Sequence, residues 1–148
     1  MKKAKKIYFC GSIRGGRELA SSYQEIIGLM KMSGEVLTEH VGDKGEISSK
    51  DRELTDKQIH DRDLQWIRES ELVVAEVTVP SLGVGYEIGR AIEMGKPILC
   101  LYNTNYSNKL SAMIAGSEGL KMYYYTETAS LTGPLSEFIQ QCAPRRTS

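Results

Sequence analysis

The chain has 148 residues, a length typical of one domain, and 41% of them are hydrophobic, which is enough for one core without disulfides or a structural metal. Its 19 basic residues balance its 19 acidic ones, which argues against the basic surface of a nucleic-acid-binding protein, so no nucleic-acid partner is expected. No apolar stretch reaches the ~18 residues of a membrane span, and the three cysteines form no C-x-x-C pair. We therefore expect a cytoplasmic protein without a membrane partner, with the nucleus as a second location.

Short apolar runs alternate with segments of helical periodicity, and together they predict a single domain over residues 1–148. The predicted elements, in chain order, are a strand at 7–10, a helix at 19–32, a weaker strand at 35–37, a helix at 55–70, a strand at 72–77, a helix at 84–94, a strand at 97–102, a strand at 122–125 and a helix at 135–142. Residues 42–54 are predicted to form a polar surface loop, and residues 1–6 and 143–148 to be flexible tails.

The strand segments are nearly continuous in apolar character, which is typical of parallel strands covered on both faces. Their alternation with helices predicts an α/β protein with a flavodoxin-like, doubly wound, five-stranded parallel sheet and helices on both faces. In such sheets ligands bind beyond the carboxyl ends of the strands. The residues that directly follow the strands are therefore the candidates for function.

The first strand is followed by the glycine-rich segment Gly11-Ser12-Ile13-Arg14-Gly15-Gly16, just before a helix. Backbone N–H groups at such a turn converge on an anion, the helix dipole favours negative charge, and the arginine adds paired donors. The segment matches neither the Walker A pattern nor G-x-G-x-x-G. It favours phosphate binding over the alternative of an ordinary turn that uses glycine for its backbone freedom.

The segment after the strand at 72–77 contains a serine, a glutamate and three glycines: Ser81, Gly83, Gly85, Glu87 and Gly89. The glycines imitate a dinucleotide fingerprint, but the next strand ends without a carboxylate for a ribose, which disfavours that interpretation. Ser81 is predicted to cap the helix and to contact a phosphate. Glu87 is expected in the first turn or so, ionised by the helix dipole and suited to act as a nucleophile; the alternative is a solvated surface residue.

Asp63 lies in the predicted helix at 55–70, on the same face as Ile59, Trp66 and Ile67. A carboxylate on the core face is costly, and burial would raise its pKa and suit it to proton donation. The alternative is an aspartate that satisfies loop backbone. One ionised and one protonated carboxyl group beside a phosphate loop indicate cleavage of a glycosidic bond in a sugar phosphate.

His40 and His60 lack the spacing of metal ligands and no cysteine joins them, so surface histidines are favoured and no metal is expected.

Several long runs resemble the 2′-deoxynucleoside 5′-phosphate N-hydrolases of the nucleoside 2-deoxyribosyltransferase superfamily, over roughly residues 6–140. The runs are Ile7–Arg17, Val36–Val41, Val73–Val77, Ser81–Glu87, Gly95–Leu101 and Leu110–Ile114. They are far more specific than a lone glycine motif.

The resemblance implies hydrolysis of a 2′-deoxynucleoside 5′-monophosphate to a free base and 2-deoxyribose 5-phosphate, through a covalent intermediate on Glu87. It assigns the acid to Asp63 and implies that the Tyr8 hydroxyl orients the nucleophile. It also implies a homodimer with shared sites and no metal or cofactor. The residues that it assigns to the substrate phosphate are Ser12, Ile13, Arg14, Gly15, Gly16, Ser81 and, from the neighbouring subunit, Ser111.

Two other functions stay open: a deoxyribosyltransferase that exchanges bases on unphosphorylated nucleosides, and a non-catalytic module that senses nucleotides. Arg14 and the serines favour a phosphorylated substrate over the first of these. The sequence leaves the preferred base undecided, because it departs from the resemblance at residues 42–58, before Asp63.

Overall fold

The computed structural model of the protein describes residues 4–12, 19–38, 41 and 53–142. Strands and helices alternate along these residues. The strands are β1 (Lys5–Gly11), β2 (Gly34–Val36), β3 (Leu72–Glu76), β4 (Ile98–Asn103) and β5 (Lys121–Tyr125). The helices are α1 (Ala20–Lys31), α2 (Asp56–Glu69), α3 (Leu82–Glu93), α4 (Ala112–Ala115) and α5 (Thr132–Gln141), with a 3₁₀ turn at Thr128–Leu131 before the last.

The five strands form one parallel sheet in the order β2-β1-β3-β4-β5, which confirms the predicted flavodoxin-like topology. The chain moves from β1 outward to β2 and then back across β1 to β3, so β1 and β3 meet at the switch point. Their register pairs Gly11 with Glu76 at the carboxyl ends of the two strands. This pairing brings the segments that follow β1 and β3 to the same edge of the sheet.

Side chains alternate between the two faces of the sheet, and each face has its own core. Ile7 and Phe9 of β1 pack on one face with α1 and α5, whereas Tyr8 and Cys10 pack on the other with α2 and α3. The helices that carry Asp63 and Glu87 therefore share a face with Tyr8.

Local signals in the sequence define the ends of α2 and α3. Thr55 accepts a hydrogen bond from the Gln58 N–H at 3.1 Å, and the Gln58 side chain accepts one from the Thr55 N–H at 2.9 Å, which confirms the capping box. Ser81 caps α3 by accepting from the Val84 N–H at 3.2 Å, as predicted. Gly95, at φ +73°, adopts the left-handed conformation just beyond α3.

The structure differs from the sequence prediction at two places. Lys5 and Lys6 belong to β1 and not to a flexible tail; the Lys5 ammonium donates to the carbonyls of Ile139 and Cys142 at the end of α5, each at 2.6 Å. The short helix α4 was not predicted, because four residues are too few to show a periodicity. Residues 1–3 and 143–148 of the predicted tails lie outside the described residues.

Within the described ranges, no helix is long and apolar enough to cross a membrane.

Candidate active site

A hydrogen bond between Tyr8 and Glu87 joins β1 to α3. The Tyr8 hydroxyl donates to Oε2 of Glu87, and the Tyr8 side chain is only 1% exposed. Burial, followed by the negative charges of Glu87 and Asp63, raises the pKa of Tyr8 well above its usual range. The hydroxyl therefore keeps its proton and acts as a donor to the carboxylate.

The pKa of Glu87 is raised to about 7, mainly by burial, while the Tyr8 hydrogen bond lowers it and the charge of Asp63 raises it. This differs from the expected stabilisation of the ionised form by the helix dipole. Because α3 begins at Leu82, Glu87 lies in the second turn, and the dipole effect falls off within the first. Glu87 therefore changes between acid and carboxylate near neutral pH.

Asp63, on α2, lies near enough to this pair for its negative charge to raise the pKa values of both Tyr8 and Glu87. The prediction that it faces the core is confirmed in part: its side chain is 22% exposed, and its Oδ1 accepts from Nε and Nη2 of Arg62 at 3.0 and 2.9 Å. The Arg62 guanidinium also stacks on the Trp66 ring, 4.6 Å from its centroid. The Asp63 carboxyl group thus acts electrostatically on Glu87 while a neighbouring cation, Arg62, holds its orientation.

A second contact joins α2 to α3 on the exposed side of this pair. A ring nitrogen of His60, Nε2, lies 2.7 Å from the Tyr86 hydroxyl, which also accepts from Arg90 at 2.6 Å. Tyr86 directly precedes Glu87 in the sequence, and His60 lies three residues before Asp63. The contact holds together the two helices that carry the carboxyl groups.

The predicted phosphate loop is described only at its start. Ser12 is fully buried, and its Oγ has no hydrogen-bond partner among the described residues. Ile13, Arg14, Gly15 and Gly16 lie outside those residues, as does His40. A buried hydroxyl without a partner among the described residues is costly, which is consistent with a polar group of a ligand completing the site.

Gly11 is required at the end of β1 because the ring of Tyr23 packs against its backbone. A Cβ at Gly11 would lie 2.8 Å from Cζ of Tyr23, closer than side-chain carbons approach. The glycine therefore lets β1 run directly over the buried tyrosine and into the loop that begins at Ser12.

Ser81 and Ser111 line one cavity of about 520 Å³ between α3 and α4. Ser111 caps α4 by accepting from the Met113 N–H at 3.2 Å, and Lys109 lines the same cavity. That Ser111 acts across a subunit boundary stays a prediction; within the chain, both serines line one cavity.

Ser81 also connects this cavity to the carboxylate pair. Its Oγ and Oε1 of Glu87 each lie 3.9 Å from the position that a Cβ of Gly83 would occupy. The two oxygens therefore flank the same glycine, one at the start of α3 and one a turn later.

From the sequence alone we did not identify Arg62, its contact with the Trp66 ring, or the contact between His60 and Tyr86. Arg62 and Trp66 stand at positions i and i+4 of one helix, a spacing that signals a side-chain pair and that was available from the sequence. The contact between His60 and Tyr86 joins residues 26 positions apart, and nothing local signals it. Among the described residues no cluster of three or more His, Cys, Asp or Glu side chains has the arrangement of a metal site.

The comparisons with known proteins support the resemblance seen in the sequence. The sequence model of the nucleoside 2-deoxyribosyltransferase family matches residues 7–127. The chain is 53% identical over 130 residues to a protein of Nematostella vectensis named "Putative 2′-deoxynucleoside 5′-phosphate N-hydrolase 1", covering 85% of this chain and 86% of that protein. It is 44% identical over 147 residues to the 5-hydroxymethyl-dUMP N-hydrolase of Rattus norvegicus, covering 96% of this chain and 89% of that protein.

A solved structure shows the same fold at low identity. The CMP N-glycosidase BcmB of Clostridium botulinum superimposes with a TM-score of 0.63 at 20% identity, covering 89% of this chain and 98% of that one. The family model and the identities to the curated proteins together decide the assignment: the chain belongs to the nucleoside 2-deoxyribosyltransferase family.

Proposed function

We propose that the protein is an N-glycosidase that hydrolyses 2′-deoxynucleoside 5′-monophosphates to the free base and 2-deoxyribose 5-phosphate. The observation that carries the proposal is the hydrogen bond from Tyr8 to Glu87, with Asp63 close enough for its charge to act on both. The names of the relatives from Nematostella vectensis and Rattus norvegicus support the same reaction and a phosphorylated substrate.

In the first step a carboxylate oxygen of Glu87 attacks C1′ of the deoxyribose as the bond from C1′ to the base nitrogen breaks. In the reactive form the proton that Glu87 and Asp63 share lies on Asp63, which delivers it to the departing base, so the base leaves neutral. The Tyr8 hydroxyl holds Oε2 of Glu87, so the carboxylate keeps one orientation during the attack. The product of this step is a 5-phospho-deoxyribosyl ester of Glu87.

In the second step water attacks the same C1′ and the ester bond to Glu87 breaks. Asp63, now a carboxylate, takes the proton from the attacking water, which restores both carboxyl groups to their starting states. Arg62 orients Asp63 through Oδ1 and stabilises its negative charge between the two steps. No metal or cofactor is required by this sequence of events.

The phosphate of the substrate is proposed to bind at the edge of the sheet where β1 and β3 end. Ser12 directly follows β1, Ser81 ends the segment that leads from β3 to α3, and the buried Oγ of Ser12, which has no hydrogen-bond partner among the described residues, supports a polar ligand there. Ile13, Arg14, Gly15 and Gly16 complete the proposed loop, and Ser111 provides a further contact. Dianionic phosphate is suited to such hydroxyls, N–H groups and a guanidinium.

We propose that the protein works as a homodimer in which Ser111 reaches the site of the neighbouring subunit. Leu82 and Met113 support this, since both line the cavity between α3 and α4 and are 97% and 83% exposed. Large apolar side chains so fully exposed beside an apolar groove are typical of a surface that a second copy covers.

Subunit mixing tests this arrangement, because Glu87 and Ser111 would belong to different chains of one site. A dimer formed from a Glu87→Gln subunit and a Ser111→Ala subunit would contain one intact site, so an equal mixture should recover about a quarter of the wild-type activity. A chain that uses its own Ser111 would give no recovery above the separate variants. Sedimentation of the wild-type protein measures the dimer directly.

The decisive experiment for the reaction is an incubation with matched phosphorylated and unphosphorylated substrates. Deoxynucleoside monophosphates, including 5-hydroxymethyl-dUMP, and the corresponding deoxynucleosides are incubated with the protein, and free base is measured by chromatography. We expect base release from the monophosphates only. Base exchange between nucleosides would instead support a deoxyribosyltransferase, a candidate that the family name favours, and binding without turnover would support a sensing module.

We also propose that the protein acts in the cytoplasm, with the nucleus as a second location. The free thiols of Cys10, Cys100 and Cys142 support a reducing compartment. Imaging of a fluorescent fusion tests the location, and a secreted or membrane-bound signal would contradict it.

A further inference from the structure

Glu76, the last residue of β3, is a buried carboxylate that the proposed reaction does not use. It is fully buried, and burial raises its pKa even though three hydrogen bonds lower it. Because side chains alternate along a strand, Glu76 lies on the same face of the sheet as Leu72 and Val74. This face is opposite to that of Tyr8, so Glu76 cannot reach the reacting atoms. A carboxyl group buried in such a place is costly unless hydrogen bonds satisfy both of its oxygens.

Both carboxylate oxygens of Glu76 accept hydrogen bonds from different elements. Oε2 accepts from the Tyr125 hydroxyl at the end of β5, and Oε1 accepts from the Thr78 N–H at 2.7 Å. The Thr78 hydroxyl also bonds Glu76, and the Asn103 side chain bonds the Tyr125 hydroxyl. Glu76 therefore joins β5 to the segment that leads from β3 into α3.

Thr78 extends this connection to the segment after β4. Its Oγ1 accepts from the Asn103 N–H at 2.8 Å, and its carbonyl accepts from the Asn108 side chain at 3.1 Å. The Asn108 carbonyl in turn accepts from the Tyr102 hydroxyl. Thr78 and Asn103 are 1% and 7% exposed, so these bonds are sheltered from water and hold their geometry.

The two segments held in this way carry the two serines of the cavity. Ser81 follows Thr78 by three residues, and Ser111 follows Asn108 by three residues. The cavity lies directly between them, with Lys109 on its wall. A shift of Thr78 would therefore displace both serines that the proposed function assigns to phosphate, Ser81 in the site of its own chain and Ser111 in the site of the neighbouring subunit.

We propose that Glu76 is a positioning residue that fixes the segments carrying Ser81 and Ser111, so that Ser81 meets the phosphate in its own chain and Ser111 meets the phosphate bound by the neighbouring subunit. This inference rests on the proposed function. It predicts that loss of Glu76 weakens binding of phosphorylated ligands while the chemistry at Glu87, on the other face of the sheet, continues.

The test is Glu76→Gln, in which one of the two donors faces an NH₂ group that cannot accept a hydrogen bond. We expect KM for a deoxynucleoside monophosphate and the dissociation constant of 2-deoxyribose 5-phosphate to rise together by about tenfold, as for one lost charge-assisted bond. We expect kcat to stay within about twofold, and its acidic pH limb to stay near pH 7, since Glu87 is unchanged. A merely structural role would lower stability and the active fraction and leave KM unchanged.

Glu71→Gln is the matched control. Glu71 precedes β3 at the opposite edge of the sheet and likewise accepts a backbone N–H, that of Lys6. It should change stability and leave both constants unchanged. An equal rise in KM in this control, or an unchanged KM in Glu76→Gln, overturns the inference.

If Glu76→Gln does not fold, Tyr125→Phe and Asn108→Ala decide the question, because each removes a single bond of the same network. Smaller rises in KM support the inference, and unchanged KM values in both overturn it. Calorimetry with 2-deoxyribose 5-phosphate separates the inference from the proposed function. If wild-type protein binds 2-deoxyribose 5-phosphate but releases no base from a deoxynucleoside monophosphate, only the proposed reaction is refuted. If it does not bind 2-deoxyribose 5-phosphate, both the proposed function and the inference are refuted.

Discussion

Replacing Tyr8 by phenylalanine removes the hydroxyl that donates to Glu87 and keeps the buried ring. The hydrogen bond lowers the pKa of Glu87, so its loss should raise that pKa above the present value of about 7. A hydrogen bond to a charged group contributes about 1.5–3 kcal/mol, which corresponds to about one to two pKa units. At pH 7 the ionised fraction of Glu87, and with it the rate of attack on C1′, should fall by about five- to fiftyfold.

The assay is the pH dependence of kcat for base release from a deoxynucleoside monophosphate. In wild type the acidic limb should lie near pH 7, and in Tyr8→Phe it should lie near pH 8–9, so the defect should shrink as the pH rises. Tyr86→Phe is the control, since Tyr86 precedes Glu87 on α3 but bonds His60 and Arg90 instead. A loss of the same size at every pH, or no loss at all, would refute the electrostatic role of Tyr8.

Three further predictions follow from the site. Burial raises the pKa of Glu87 from 4.5 to about 7, so ionisation of Glu87 destabilises the fold as the pH rises through this window. In urea denaturation, Glu87→Gln should therefore be more stable than wild type by about 3 kcal/mol at pH 8 and about equally stable at pH 4. The same variant should lose turnover. Asp63→Asn should slow base release least for bases that leave easily, and equal slowing for all bases would count against its role as acid. Gly83→Leu should lower kcat/KM by about a hundredfold because its side chain enters the space between Ser81 and Glu87, whereas Gly28→Leu, where a Cβ meets nothing within 4 Å, should have no effect.

Much of the fold was predictable because it depends on local pattern. Near-continuous apolar strands alternating with helices require a parallel doubly wound sheet, and the observed order β2-β1-β3-β4-β5 is the one expected. The capping box at Thr55 and the cap at Ser81 are encoded within three residues and appear as predicted. The errors fall where local pattern is weak: α4 is a single turn, and Lys5 and Lys6 enter β1 although they are charged.

The site was predictable only as a set of residue types at strand and helix ends. The sequence indicated Glu87 because it stands near the start of a helix that follows a strand, and Asp63 because a carboxyl group on the core face of a helix is costly. The structure brings both close to Tyr8. The sequence did not indicate that Asp63 pairs with Arg62, or that Glu76 is fully buried and bonded to Tyr125. Glu76 and Tyr125 are 49 positions apart, so no local spacing relates them.

The sequence by itself therefore determined the order of elements, the topology of the sheet and the segments from which the site is built. Only the tertiary structure decided the ionisation of Glu87, whose pKa near 7 results from burial, a hydroxyl 79 residues away and a charge on another helix. The physical reason is that secondary structure follows from short-range periodicity and capping, whereas desolvation and electrostatic interaction depend on which distant residues surround a group. The balanced total of 19 basic and 19 acidic residues conceals that environment entirely.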